Sequence, residues 1–193
     1  MVDALTALVN LASAIHTSGN RFIFALAVVL GIYGVMFALT KEARLARQVP
    51  GHNGTGKIIG VVILGGMLVG LSQIINAGAA QLGWSDVTFD EVSYVSTDTF
   101  GQGADAANAL LTLLQTLGIA YALSGTQRIK RSLKDGHTGL SAGEDVGTGA
   151  VKFITGVFLI CAPTLLDAIQ TSLGLSLSSL SSALAEHLNQ NYL

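Results

Sequence analysis

Four stretches of this chain run for about twenty residues almost without charge, and this constrains the fold more than any motif does. Positions 22–40 (FIFALAVVLGIYGVMFALT) hold 19 residues with no charge at all. Residues 58–82 and 106–127 are equally bare, and 153–175 is interrupted only by Pro163 and Asp167. A helix needs about 20 apolar residues to cross the roughly 30 Å hydrocarbon core of a bilayer, and each stretch meets that length. Only 11% of the residues are charged, less than half the roughly 25% of a soluble domain. The expected fold class is therefore all-α and integral to a membrane. The single Cys161 excludes a disulfide scaffold and a cysteine-rich zinc module, and the net charge of -2 excludes a basic nucleic-acid-binding domain.

The placement of the charges gives an orientation. Lys41, Arg44, Arg47 and Lys57 lie between the first and second stretches, and Arg128, Lys130, Arg131, Lys134 and Lys152 between the third and fourth. Arg21 is the one basic residue elsewhere. The segment 83–105 carries Asp86, Asp90, Glu91, Asp98 and Asp105 and no basic residue. By the positive-inside rule both basic loops are expected in the cytoplasm, with the termini and the acidic connection on the other side. Residues 1–20 lack a basic start, contain Asp3 and are broken by Asn10 and His16, so no cleaved signal is expected. Leu5, Leu8, Val9, Ala12 and Ile15 recur at helical spacing there, as do Leu173, Leu177, Leu180, Leu184 and Leu188 near the other end. Both read as amphipathic helices on a membrane surface or against the bundle.

Internal similarity divides the chain further. Gly31-Ile32 and Gly118-Ile119 are each followed at one distance by a basic trio, Lys41, Arg44, Arg47 and Arg128, Arg131, Lys134. The turns Gly51-His52-Asn53-Gly54 and Gly136-His137-Thr138-Gly139 come next, and Lys57 and Lys152 then open the following apolar stretches, with about eight extra residues in the second copy. The expected plan is four hydrophobic helices arranged as two parallel helical hairpins. It comprises an amphipathic helix over 1–20, a first hairpin over 21–82 and an acidic linker over 83–105. A second hairpin over 106–175 and an amphipathic helix over 176–193 complete it.

No catalytic constellation is present: there is no HExxH or complete Walker A pattern, and the lone cysteine falls inside an apolar stretch. The chain is not expected to be an enzyme. His52 and His137 have no neighbouring Cys or second His, so they read as turn residues and no metal site is expected. Asp167 is a carboxylate within an apolar stretch, either structural at the outer interface or an ion-handling group in a small four-span transporter or channel. Gln73, Asn76 and Gln115 read as hydrogen-bond partners between helices, and Gly66 with Gly70 as a small-xxx-small packing seam. The basic loops set topology; beyond that they offer contacts for phosphate, whether of lipid headgroups or of a passing nucleic-acid strand.

A basic loop between two glycine-rich spans, with both termini outside, resembles the plan of conjugative pilins. The doubled hairpin, with ALSGTQRIKRSLKDGHTG between its third and fourth stretches, is similar to the IcmC/DotE and TraQ-like family of type IVB secretion and IncI-type conjugation systems. The resemblance covers about 22–175. It implies a structural, pilin-like subunit of the bacterial inner membrane that stacks into a helical conjugative pilus and retains phospholipid, with no other cofactor required. Its partners would be further copies of itself, phospholipid, other secretion-system membrane proteins and, transiently, transported nucleic acid. It places Lys41, Arg44, Arg47, Lys57, Arg128, Lys130, Arg131, Lys134 and Lys152 as headgroup or lumen contacts. The chain differs from a simple pilin in having two hairpins, which leaves a non-polymerising inner-membrane component of the same machine as the alternative.

Overall fold

The computed structural model describes residues 2–48, 55–84, 87–96, 101–135 and 140–172. Among these are six helices and no strand: α1 (Val2–Gln48), α2 (Thr55–Val69), α3 (Leu71–Gln81), α4 (Gln102–Asp135), α5 (Leu140–Ile160) and α6 (Ala162–Ser172). Two of them, α1 and α4, are long and apolar enough to cross a membrane, or up to four spans exist if each bent pair α2–α3 and α5–α6 is one.

The expected separate helix over 1–20 is not an element of its own. α1 runs unbroken for 47 residues, about 70 Å at 1.5 Å per residue. Its weakest helix former there, Gly19, lies where an added Cβ would be 3.5 Å from Thr116 Cγ2, so tertiary contact covers the backbone at that point. The apolar face expected for this segment is largely the covered one, with Ala12 buried and Leu5, Leu8 and Val9 half-buried, but Ile15 is 42% exposed, while the polar His16 and Asn20 are buried. The helix expected over 176–193 lies outside the described residues.

Glycine contacts hold the helices in antiparallel pairs. A Cβ on Gly31 would lie 2.7 Å from the carbonyl oxygen of Gly65, which marks the crossing of α1 and α2. In the α4/α5 pair, Gly118 meets Gly156 and Gly125 meets Gly149, with a Cβ at any of the four only 2.6–2.9 Å from opposing backbone atoms. Backbones this close gain dispersion along their whole length, and only residues without a side chain permit it. Gly66 and Gly70 are not the seam: Gly66 is exposed, with nothing within 4 Å of a Cβ built on it, and Gly70 sits at the break between α2 and α3. Adjacent positions on a helix point about 100° apart, so in the pair Gly65-Gly66 only one can face α1.

Both pairs bend five residues beyond a crossing glycine. After Gly65, α2 turns by 90° at Gly70 into α3; after Gly156, α5 turns by 67° at Cys161 into α6. The second bend has a covalent cause in Pro163, at the second position of α6, which cannot donate to the preceding turn. Around the bends lies the core, formed by Ala27, Leu68, Leu71, Ile75, Ile119, Ala122, Leu123 and Ile160.

Candidate functional site

The relative height of the two pairs decides where the charges fall. His16 of α1 reaches Thr116 of α4, and Lys130 of α4 reaches Leu30 of α1; each pair of partners is 100 positions apart. The matching glycines Gly31 and Gly118 are only 87 positions apart in sequence. α1 and α4 therefore run parallel but stepped by about 13 residues, roughly 20 Å along the axis.

The step separates the two basic clusters that the sequence sets at equivalent places. Lys41, Arg44 and Arg47 are exposed near the end of α1. Arg128, Lys130 and Arg131 lie instead at the height of Leu30 and Gly34, in the middle of the uncharged stretch 22–40. Lys130 lays its chain into the notch left by Gly34 and donates its ammonium to the Leu30 carbonyl at 2.7 Å. That contact gives the cation a backbone acceptor beside an otherwise uncharged stretch of α1. Lys152 is half-buried on α5. The side chains of Lys57 and Lys134, and all of His52 and His137, lie outside the described residues.

Two grooves combine apolar walls with these cations. One, of about 550 Å³, is lined among the described residues by α1, with Tyr33, Met36 and Phe37 leading to Lys41 and Arg44. A second, of about 200 Å³, is lined by the apolar Leu30, Phe37 and Leu68 and by Gln127, Lys130 and Arg131. Tyr33 and Phe37 stack at 6.3 Å between them. Large apolar side chains face outward along all four long helices, among them Val29 and Met36 on α1, Ile63 on α2, Leu110 and Leu117 on α4 and Val151 on α5.

At the other end, the acidic connection forms an extended strap over 87–96 whose backbone is taken up by helix side chains. Asn76 of α3 accepts from the Val87 amide at 3.3 Å, and Gln115 of α4 donates to the Thr88 carbonyl. His16 Nε2 lies 3.1 Å from the Phe89 carbonyl, which can only accept, so this nitrogen carries the proton. Thr112 accepts from Val92 N at 3.1 Å. Asn108 accepts from the amides of Tyr94 and Val95 and returns its own amide to the Val95 carbonyl, at 2.8–3.0 Å. Asn108, Thr112 and Gln115 share one face of α4 by their spacing of four and three. The residues expected to link helices, Asn76 and Gln115, thus bind the strap instead; Gln73 is exposed.

The strap carries charge outward, with Asp90 and Glu91 exposed and Ser13 donating to Glu91. Burial, and then the Asp167 carboxylate of α6, hold the Tyr94 phenol above its usual range. Asp167 itself is exposed. Among the described residues no three His, Cys, Asp or Glu side chains converge as metal ligands. The strap ladder and the step between pairs leave no short-range sequence signal, though the polar spacing Asn108, Thr112, Gln115 on an otherwise apolar helix is one that could have been read. Comparison of the chain with protein-family models, with curated proteins and with solved structures finds no match.

Proposed function

We propose that the chain is a membrane-inserted structural subunit of a type IVB conjugation or secretion apparatus, pilin-like, which assembles with further copies of itself and holds phospholipid at its basic end. The observation that carries this reading is the step between the two helix pairs. It gives each chain a basic end of α1 that projects past the second pair, with apolar surface below it and the acidic strap laid along α1 and α4 toward the other end. Offset surfaces of this kind pair head to tail, and a head-to-tail contact that does not close propagates a helical assembly. In a flat bilayer one pair would carry Lys130 and Arg131 about 20 Å deeper than Arg44. Neighbouring subunits at that height supply the surroundings that lipid alone does not.

In this reading each bent pair counts as one span. The two parallel hairpins cross the inner membrane with basic loops in the cytoplasm and termini in the periplasm before assembly. The aromatic-walled grooves under Lys41, Arg44, Lys130 and Arg131 suit an anionic phospholipid, whose headgroup meets the cations while an acyl chain lies along Tyr33 and Phe37. A transported nucleic acid is a further transient partner for the same cations. Electron microscopy of filaments sheared from cells, with mass spectrometry of their protein, is expected to find this chain as the main component. Its absence from filaments while abundant in the inner membrane would leave the non-polymerising membrane component. Replacing Lys41 and Arg44 by Gln is expected to reduce the phospholipid retained per chain; unchanged retention would remove the grooves from the mechanism.

A further inference from the structure

We infer that the groove between α1 and the strap is a binding site for a phosphoethanolamine-type zwitterion, in which a phosphate and a primary ammonium are recognised together. The groove has a volume of about 270 Å³ and is walled by Asn20, Arg21 and Phe24 of α1 and by Phe89, Asp90 and Glu91 of the strap. Arg21 is the one basic residue outside the two loop clusters and stands directly before the uncharged stretch 22–40, at headgroup height if that stretch spans a bilayer. In that respect the inference rests on the membrane reading above.

Charges of opposite sign line this groove without meeting. Arg21 makes no ion pair or hydrogen bond among the described residues, although Asp90 and Glu91 face the same space. A ligand carrying both signs satisfies them together: its phosphate accepts from the guanidinium, and its ammonium donates to the carboxylates. Asn20 adds an independent sign of a donor-bearing ligand. It is 6% exposed, lines the groove, and its Oδ1 is buried without a hydrogen-bond partner. Such an acceptor is costly to leave unmet, and an ammonium N–H meets it where a quaternary choline cannot. Phe24 and Phe89, edge to face with centroids 5.2 Å apart, present ring surface to the cation.

The test uses the full chain, purified in detergent and stripped of lipid, then mixed with micelles containing phosphatidylethanolamine, phosphatidylcholine or phosphatidylglycerol of one acyl composition. Native mass spectrometry of retained lipid is expected to show about tenfold more ethanolamine than choline lipid, the difference made by one to two charge-assisted hydrogen bonds. Arg21→Gln and Asp90→Asn are each expected to abolish that ratio, while Asp167→Asn, outside the groove, keeps it. Equal retention of the two lipids, or a ratio indifferent to both groove variants, overturns the site. Calorimetry with free O-phosphoethanolamine identifies the source. Binding of the free compound as tight as the lipid assigns the groove to a soluble zwitterion, and binding of the lipid alone assigns it to the bilayer. Retention of phosphatidylglycerol without ethanolamine preference defeats this site only, whereas a chain that retains no phospholipid and does not insert defeats the membrane reading itself.

Discussion

The α1/α2 and α4/α5 pairs begin from similar sequence and end with different contacts. In the first, backbone meets backbone at one level, Gly31 against Gly65, and the next position one heptad along α1 is Ala38. In the second, the approach is repeated at two levels, Gly118 against Gly156 and Gly125 against Gly149, with Ala122 between. The second pair is thus a continuous seam, whereas the first is pinned at a single crossing and completed by side chains. Much of what α1 lacks in a seam with α2 it gains from α4 and the strap, through His16, Asn20 and the Lys130 contact. The lesson is that one glycine fixes where two helices cross, and two a heptad apart also fix their direction.

This comparison can be broken most severely at the double seam. Gly156→Val places atoms where Ala122 N and Gly118 O already stand 2.6 Å from a Cβ. Backbone cannot turn aside as a side chain can, so thermal unfolding in detergent is expected to show a loss of about 3 kcal/mol, or no folded chain at all. Native-like melting would mean that the pair tolerates separation. Next in size is Asn108→Ala, which strands three backbone groups of the strap. A loss of about 2 kcal/mol is expected, with faster amide exchange confined to 92–96 and the region it covers.

A smaller effect is expected in the first pair. At Gly65 an added Cβ meets a methyl of Val35, which can rotate, and the nearest backbone oxygen of Gly31 is 3.2 Å away. Gly65→Ala should cost about 1 kcal/mol; a loss as large as at Gly156 would erase the distinction between the pairs. Gly66→Ala should stabilise by about 0.5 kcal/mol through helix propensity alone, because its Cβ enters open space. A destabilisation there in the isolated chain would return Gly66 to the seam.

The pH dependence of the strap is a further probe. With the Tyr94 phenol raised by burial and by Asp167, the folded chain holds a proton that the unfolded chain releases near the ordinary tyrosine value. Stability from this group is therefore complete below that value and lost as pH rises above it. Ultraviolet titration of the phenol in Asp167→Asn should show the residue ionising at lower pH than in the native chain. An unshifted titration would separate Tyr94 from α6.

Much of the helical content was legible because hydropathy needs no tertiary information: 22–40, 58–82, 106–127 and 153–175 all fall largely within helices. The breaks were not all legible. Pro163 signals the bend at Cys161, but Gly70 is one of several glycines in α2 and α3 and nothing local selects it. Register was harder still. Matching Lys57 with Lys152 is off by about one turn from the contacts, which match Gly65 with Gly156 instead. A charged residue marks where an apolar run begins; it does not mark which face crosses the partner. The candidate site is the least legible part, since the sequence places the basic residues in two equivalent loops and carries no local mark of the helices that bind the acidic linker.

By itself the sequence determined that this chain is helical, apolar enough to cross a membrane, and sharply divided into basic and acidic regions, because those properties are sums over neighbouring residues. Only the tertiary structure decided the 20 Å step, the strap bound across three helices and the meeting of Arg21, Asn20 and Asp90 around one groove. Each depends on which faces of distant helices come together. That choice is made by close backbone packing at a few glycines and by buried polar groups finding partners, and no local pattern encodes it.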